Sequence, residues 1–164
     1  MALSVLALDL TRWDESARDT LVLPVFKDDR PLRGAAGLAD WRMCGRLSRL
    51  IKSNRASADA GETMLLPPGR RLRFSKLLWF GLGDAKGYSD DRFRKDLAWI
   101  LGVVRRAGIT EWTMQAPGRA SGLIGARRAI EILLEEPLLA DQTVTLLEDP
   151  AGQKDIAELL RSQR

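Results

Sequence analysis

Short apolar runs alternate with amphipathic helical stretches along the whole chain. A chain patterned this way has to lay its strands in one sheet and cover the faces with helices. Ser4 to Leu8 is apolar on both faces, as a buried strand is. Thr20 to Phe26 (TLVLPVF), Glu62 to Leu66 (ETMLL), Lys76 to Leu82 (KLLWFGL), Thr110 to Gln115 and Thr143 to Leu147 read as further strands. The Lys76–Leu82 run is the most apolar and is expected near the middle of the sheet. Pro24 has no amide hydrogen to give a ladder, so the second strand is expected to carry an irregularity or lie partly at an edge.

The helical stretches are marked by their caps and periods. Gly37 to Ser53 places Leu38, Trp41, Leu47, Leu50 and Ile51 on one face, with Arg42, Arg46, Arg49 and Lys52 largely on another. Ser89 is an N-cap followed by Asp90 and Asp91, which the helix dipole favours. Phe93, Leu97, Ile100, Leu101 and Val104 then form a buried stripe, and Gly108 closes the helix. Leu123 to Glu136 is a further helix, stopped by Pro137. Asp149-Pro150 opens the last one, with Ile156, Leu159 and Leu160 turned inward. The order β-β-α-β-β-α-β-α-β-α predicts an α/β fold, a three-layer α/β/α sandwich on a mixed sheet of about six strands. No repeat, low-complexity tract or linker divides the chain, so residues 1–164 read as one domain.

Composition narrows the chemistry. The chain has 164 residues, 45% of them hydrophobic, enough for a sizeable core. It has no apolar run of about 18 residues, so no membrane-spanning helix is expected. The opening MALSVLALDLTRW lacks a basic leader region and a small-residue cleavage site and reads as a strand. The single cysteine, Cys44, excludes an intrachain disulfide and fits a cytoplasmic location; within a helix it reads as a small packing residue. Histidine is absent. That removes Ser-His-Asp and Cys-His arrangements and leaves only carboxylates and one thiol for a zinc ion, a poor ligand set. Lysine bases and carboxylate pairs stay open, but no catalytic residue, metal ligand or cofactor-binding residue is assigned.

Charge is uneven. The whole chain carries +4, residues 31–80 carry ten basic and three acidic side chains, and residues 121–164 carry five basic and eight acidic. A basic middle attracts nucleic acid or another polyanion, and Arg70, Arg71 and Arg73, with Arg105 and Arg106 elsewhere, are the residues for it. A solvated face with paired charges gives the same pattern. One tyrosine and no aromatic interleaved with these arginines speak against base stacking. Trp41, Trp79, Trp99 and Trp112 fall in predicted elements and read as core or interface.

Two glycine-rich turns follow strands. Gly81-Leu82-Gly83-Asp84-Ala85-Lys86-Gly87 departs from a dinucleotide loop, because Lys86 stands at the third glycine and Asp84 would face a phosphate; it reads as a tight turn. Pro117 to Gly125 (PGRASGLIG) leads into a helix. There Gly118, Gly122 and Gly125 let backbone amides approach an anion, and Arg119 can add a charged fork beside Ser121. A flexible loop closed by a helix is the plainer account of the same residues.

The succession TLVLPVF, Leu47-Ser48-Arg49-Leu50 within GLADWRMCGRLSRLIKS, Gly61-Glu62-Thr63, Gly81-Leu82-Gly83 and a helix opened by SDDRFRKDLAW spans Val22 to Gly108. In this order and spacing it resembles the N-terminal domain of the leucyl aminopeptidase (cytosol aminopeptidase) family. The resemblance implies a macro-domain-like fold. It also implies a non-catalytic role, because in that family this domain lies at the outside of a hexameric enzyme and helps it assemble. No counterpart of the family's metal-binding Asn-Thr-Asp-Ala-Glu-Gly-Arg-Leu segment occurs in these residues. The chain is therefore expected to be a stand-alone domain whose partner is a protein, either a second copy or an aminopeptidase. Two alternatives follow the resemblance. Ser121 to Gly125 loosely resembles the phosphate loop of ADP-ribose-binding macro domains, one residue short and without their asparagine-rich first loop, which suggests a phosphorylated ligand. Some bacterial members bind DNA, which suggests nucleic acid on the basic middle.

Overall fold

The computed structural model describes residues 1–16 and 19–164. Six strands and six α-helices form among the described residues, in this order: β1 (Ala2–Ala7), α1 (Leu10–Ser16), β2 (Thr20–Val25), α2 (Gly34–Arg42), α3 (Arg46–Lys52), β3 (Thr63–Leu66), β4 (Lys76–Gly81), α4 (Asp90–Arg106), β5 (Glu111–Met114), α5 (Ala126–Leu134), β6 (Thr143–Glu148) and α6 (Pro150–Ser162). They build one mixed sheet in the order β1-β6-β5-β2-β4-β3. Every neighbouring pair is parallel except β3 and β4. Among the described residues no helix is long and apolar enough to cross a membrane.

Alternation along the strands divides the core into two layers. Val22, Phe80, Trp112, Met114, Val144 and Leu146 face α4, α5 and α6, where Phe93, Leu97, Ile100, Ile130 and Ile156 meet them. Leu21, Leu23, Val25, Leu77 and Trp79 face the other way, toward Trp13 of α1, Ala35, Ala36 and Ala39 of α2, and Leu47 and Ile51 of α3. The small alanines let α2 lie close against the sheet.

Several expectations are corrected. The strand with Pro24 is central, between β5 and β4. Its ladder to β5 stops at Val22 opposite Met114, while Leu82 donates to the Val25 carbonyl on the β4 side. Alternation therefore turns Pro24 toward the β5 side, past the last β5 bond, where its missing N–H costs nothing. Lys76–Gly81 lies inside the sheet but one place from its edge, and the middle pair is β2 and β5. The opening stretch to Trp13, expected as strand, turns helical after Asp9: Leu10–Ser16 is α1, the Asp9 carboxylate accepts from the Thr11 amide at 2.8 Å and Trp13 is buried.

The helix expected over 37–53 is broken. Cys44 and Gly45 adopt left-handed φ values of 57° and 79°, and the Gly45 amide returns to the Asp40 carbonyl at 2.8 Å. Asp40 then accepts from the Ser48 amide at 3.1 Å and from its hydroxyl, starting α3 in a new direction. Cys44 is exposed, not a packing residue. Trp41 leaves the predicted apolar face and is 73% exposed. The helix expected from Leu123 starts only at Ala126, and Pro137 opens a 3₁₀ turn, Pro137–Leu139.

The two tryptophans give a direct check. Trp112 is 0% exposed, so Trp112→Ala is expected to cost about 3–5 kcal/mol of unfolding free energy. Trp41→Ala should change it by no more than about 0.5 kcal/mol. Urea unfolding of the two variants measures both.

Candidate functional site

Chain connections leave β2 and β5 in opposite directions: β2 runs on through α2 and α3 to β3 and β4, and β5 runs through α5 to β6. Beyond the carboxyl ends of two such strands an open α/β sheet forms its ligand crevice. Here that place is bounded by Phe26 and Asp29 after β2, by Ala35 at the start of α2, and by Gln115, Gly118 and Ser121 after β5. It encloses about 20 Å³, room for about one water molecule.

Side chains of the chain itself close it. Gln115 Oε1 accepts from the Ala35 amide at 2.8 Å, so the first turn of α2 already has its acceptor. Gly34 sits at φ 55°, and a Cβ there would come within 2.1 Å of that Gln115 oxygen. The buried Asp29 carboxylate accepts from the Phe26 amide at 3.1 Å and from the Ser121 hydroxyl at 3.0 Å, tying the loop after β2 to the loop after β5. Gly118, at φ 79°, has Tyr88 Cε1 3.1 Å from where a Cβ would stand.

Arg119 is the strongest tie. Its Nε and Nη2 donate to the two Glu148 carboxylate oxygens at 2.6 and 2.8 Å, and Nη1 donates to the Ile124 carbonyl at 2.8 Å. The side chains are 12% and 4% exposed. The hydrogen bonds it donates to Glu148 hold the Arg119 guanidinium more firmly protonated than usual. Glu148 is the last residue of β6, and its carboxylate lies 2.2 Å from where a Cβ of Gly152 would be, so the first turn of α6 needs glycine there.

The charged fork anticipated for a bound anion is thus committed to Glu148, and the Ser121 hydroxyl is committed to Asp29. The glycines keep the geometry the loop needs: Gly118 and Gly122 are left-handed, and Gly125 is the extended N-cap of α5 with no side-chain cap. The turn after β4 is the tight one expected, with Gly83 at φ 74° against Ala60 and Asp28 accepting from the Ala85 amide.

Tyr88 packs behind Phe26 and Gly118. Its hydroxyl donates to Asp96 Oδ2 at 3.0 Å, its ring meets Phe26 edge-on at 5.0 Å, and the Arg92 guanidinium lies 4.9 Å over its face. Burial pushes the Asp96 carboxyl above the usual carboxylate range, against the pull of the Tyr88 hydroxyl and the Arg92 charge.

Arg70, Arg71 and Arg73 lie together on the turn between β3 and β4, and all are exposed. Arg70 and Arg73 form no ion pair with any described residue; Arg71 donates to the Cys44 sulfur. Arg105 belongs elsewhere: it is on α4, against the opposite sheet face, bound to Asp141 and the Leu138 carbonyl. Arg106 is its neighbour on that helix. The sequence reading missed the aromatic beside the arginine turn: Trp41 and Arg71 line one groove. No local pattern announced it, because the break at Cys44–Gly45 that exposes Trp41 interrupts an otherwise helical period. Among the described residues no group of three or more His, Cys, Asp or Glu side chains is placed to hold a metal ion.

The model of the cytosol aminopeptidase family N-terminal domain matches residues 22–138. The chain belongs to this family. A probable cytosol aminopeptidase of Sulfurihydrogenibium sp. (strain YO3AOP1) is 24% identical over 94 residues, 57% of this chain and 19% of that protein. The chain therefore spans about a fifth of that relative's length. A mutant of tomato leucine aminopeptidase superposes with a TM-score of 0.64 at 13% identity, over 96% of this chain and 35% of that one. The macrodomain of Mycobacterium tuberculosis DarG gives 0.66 at 14% identity, over 88% of this chain and 96% of that one. At these identities the structures show the fold alone, and that fold is macro-domain-like, as the resemblance implied.

Two measurements probe the site of this cytosol aminopeptidase N-terminal domain. Arg119→Met leaves a buried carboxylate unpaired and is expected to cost about 3–5 kcal/mol, with Arg119→Met/Glu148→Leu recovering most of it. A single-variant loss below about 1 kcal/mol in urea unfolding would mean the pair behaves as an exposed one. The raised Asp96 carboxyl gives a pH signature. Its contribution to stability is full below the unfolded carboxylate value of about 3.9 and is lost as pH rises through the higher folded value. Asp96→Asn removes that loss, so its urea midpoint relative to the parent chain should rise between about pH 4 and pH 7. A pH-independent difference contradicts the assignment.

Proposed function

We propose that this domain carries no chemistry of its own and works through protein contacts, either by self-association or by docking on and regulating an aminopeptidase. The observation that carries this reading is the closed crevice: at the position where sheets of this kind hold ligands, about 20 Å³ remains. A pocket for a ligand of drug or nucleotide size takes on the order of 300–1,000 Å³.

The same observation weighs against a phosphorylated ligand at Gly118, Arg119, Ser121, Gly122 and Gly125. Arg119 would have to exchange Glu148 for the ligand, and Asp29 and Glu148 would stand as carboxylates beside its phosphates. Family membership supports the reading from another side, since the match lies on the family's N-terminal domain.

Light scattering after size exclusion tests it, on the chain alone and after co-expression with a cytosol aminopeptidase subunit from the same genome. The expected result is a mass that is a multiple of the chain's 18.3 kDa, or co-elution with the aminopeptidase. A strict monomer that ignores the co-expressed enzyme contradicts it.

A further inference from the structure

The break between α2 and α3 leaves an open groove of about 850 Å³ on the face opposite α4 and α5, lined among others by Pro31, Leu32, Trp41, Cys44 and Arg71. Trp41 contributes little to the fold. Its helix is held on the sheet by Ala35, Ala36 and Ala39, and the indole stands 73% exposed. Tryptophan is enriched among the residues that carry most of the binding energy at protein interfaces.

The groove holds both signs of charge, and the cations stand on its Arg71 side. Arg42 is paired with Asp14 at 2.8 Å, and Asp40 accepts from both the amide and the hydroxyl of Ser48. Among the described residues Arg71 has no carboxylate partner; its Nη1 donates to the Cys44 sulfur. Arg70 and Arg73 flank it on the same turn without an ion pair to any described residue.

We propose that this groove docks an acidic protein segment that carries a large apolar side chain. The apolar side chain covers Trp41, and carboxylates on either side of it take the Arg71 fork and its neighbours. This inference rests on the protein-contact reading above and adds the surface and the chemistry of the partner. Charge complementarity carries the choice of occupant: Arg70, Arg71 and Arg73 stand exposed on the turn that edges the groove, and arginine forks take carboxylates through bidentate bonds. A single-stranded nucleic acid fits less well. It asks for a row of aromatic platforms along a basic channel, and here one indole lines the groove.

Selection of random short peptides displayed on phage, with the intact chain as bait, tests the proposal. Trp41→Ala/Arg71→Glu serves as the counter-selection bait, and both substituted residues are exposed, so the fold is retained; circular dichroism verifies this. The expected winners carry two or more carboxylates around one bulky apolar residue. Their synthetic forms should bind the parent chain at least about tenfold tighter than Trp41→Ala or Arg71→Glu, and weaken as salt is raised. Arg106→Glu, on the far face, should bind like the parent. Bound peptide should also slow maleimide reaction at Cys44, the chain's one cysteine, which lines the groove. Winners without acidic residues, winners indifferent to Trp41→Ala, or an absence of winners overturn the proposal. So does a single-stranded oligonucleotide that binds the parent chain and is lost in Trp41→Ala. If the double variant still assembles in the light-scattering experiment, the groove is wrong while the protein-contact reading stands.

Discussion

The ion pair between Arg119 and Glu148 is the tie on which the rest of this end of the molecule depends. It joins the loop after β5 to the last residue of β6 through two parallel hydrogen bonds, and the third donor of the guanidinium closes the loop on itself at Ile124. Two charges held this far from water are costly, and only near-complete hydrogen bonding offsets that cost. Here it is met: Glu148 takes both parallel donors, and Gly152 makes room for the carboxylate that a side chain would displace. Asp29 with Ser121, and Gln115 with the start of α2, complete the closure from the other side.

An anion site and this arrangement use the same parts. A glycine loop, an arginine fork and helix starts are what a sheet of this topology offers to a phosphate. In this chain a carboxylate from β6 and the Gln115 amide oxygen just after β5 take those donors. The crevice of this sheet is therefore filled from within, and the proposed contacts fall to the surface. The groove at Trp41 is the part of that surface where exposed arginines and exposed apolar area coincide.

What could be read from the sequence follows the range of the interaction. The α4 stripe of Phe93, Leu97, Ile100, Leu101 and Val104, capped by Ser89, and the Asp149-Pro150 start of α6 are written within a few residues and appear as expected. The six strands are also in place, with ends shifted by one or two residues. Three features were not legible. The strand order that puts Pro24 at the centre depends on pairings far apart in the chain. Gly45 breaks a helix in a period that gives no other sign of stopping, and that decides whether Trp41 is buried. Glu148 lies 29 residues from Arg119, so a fork that reads locally as free for an anion is satisfied by a strand end that only the folded sheet brings near. The loop's glycines carry its backbone turns, and the side chains around them are set by tertiary pairing.

The central claim is that the crevice between β2 and β5 is sealed by the chain's own side chains. Amide NMR of the chain titrated with ADP-ribose addresses it most directly. The account predicts that Ala35, Arg119, Ser121, Gly122 and Gly125 keep their chemical shifts through millimolar ligand. Saturable shifts confined to those amides, with the Arg119 side-chain signals moving alongside, would contradict it.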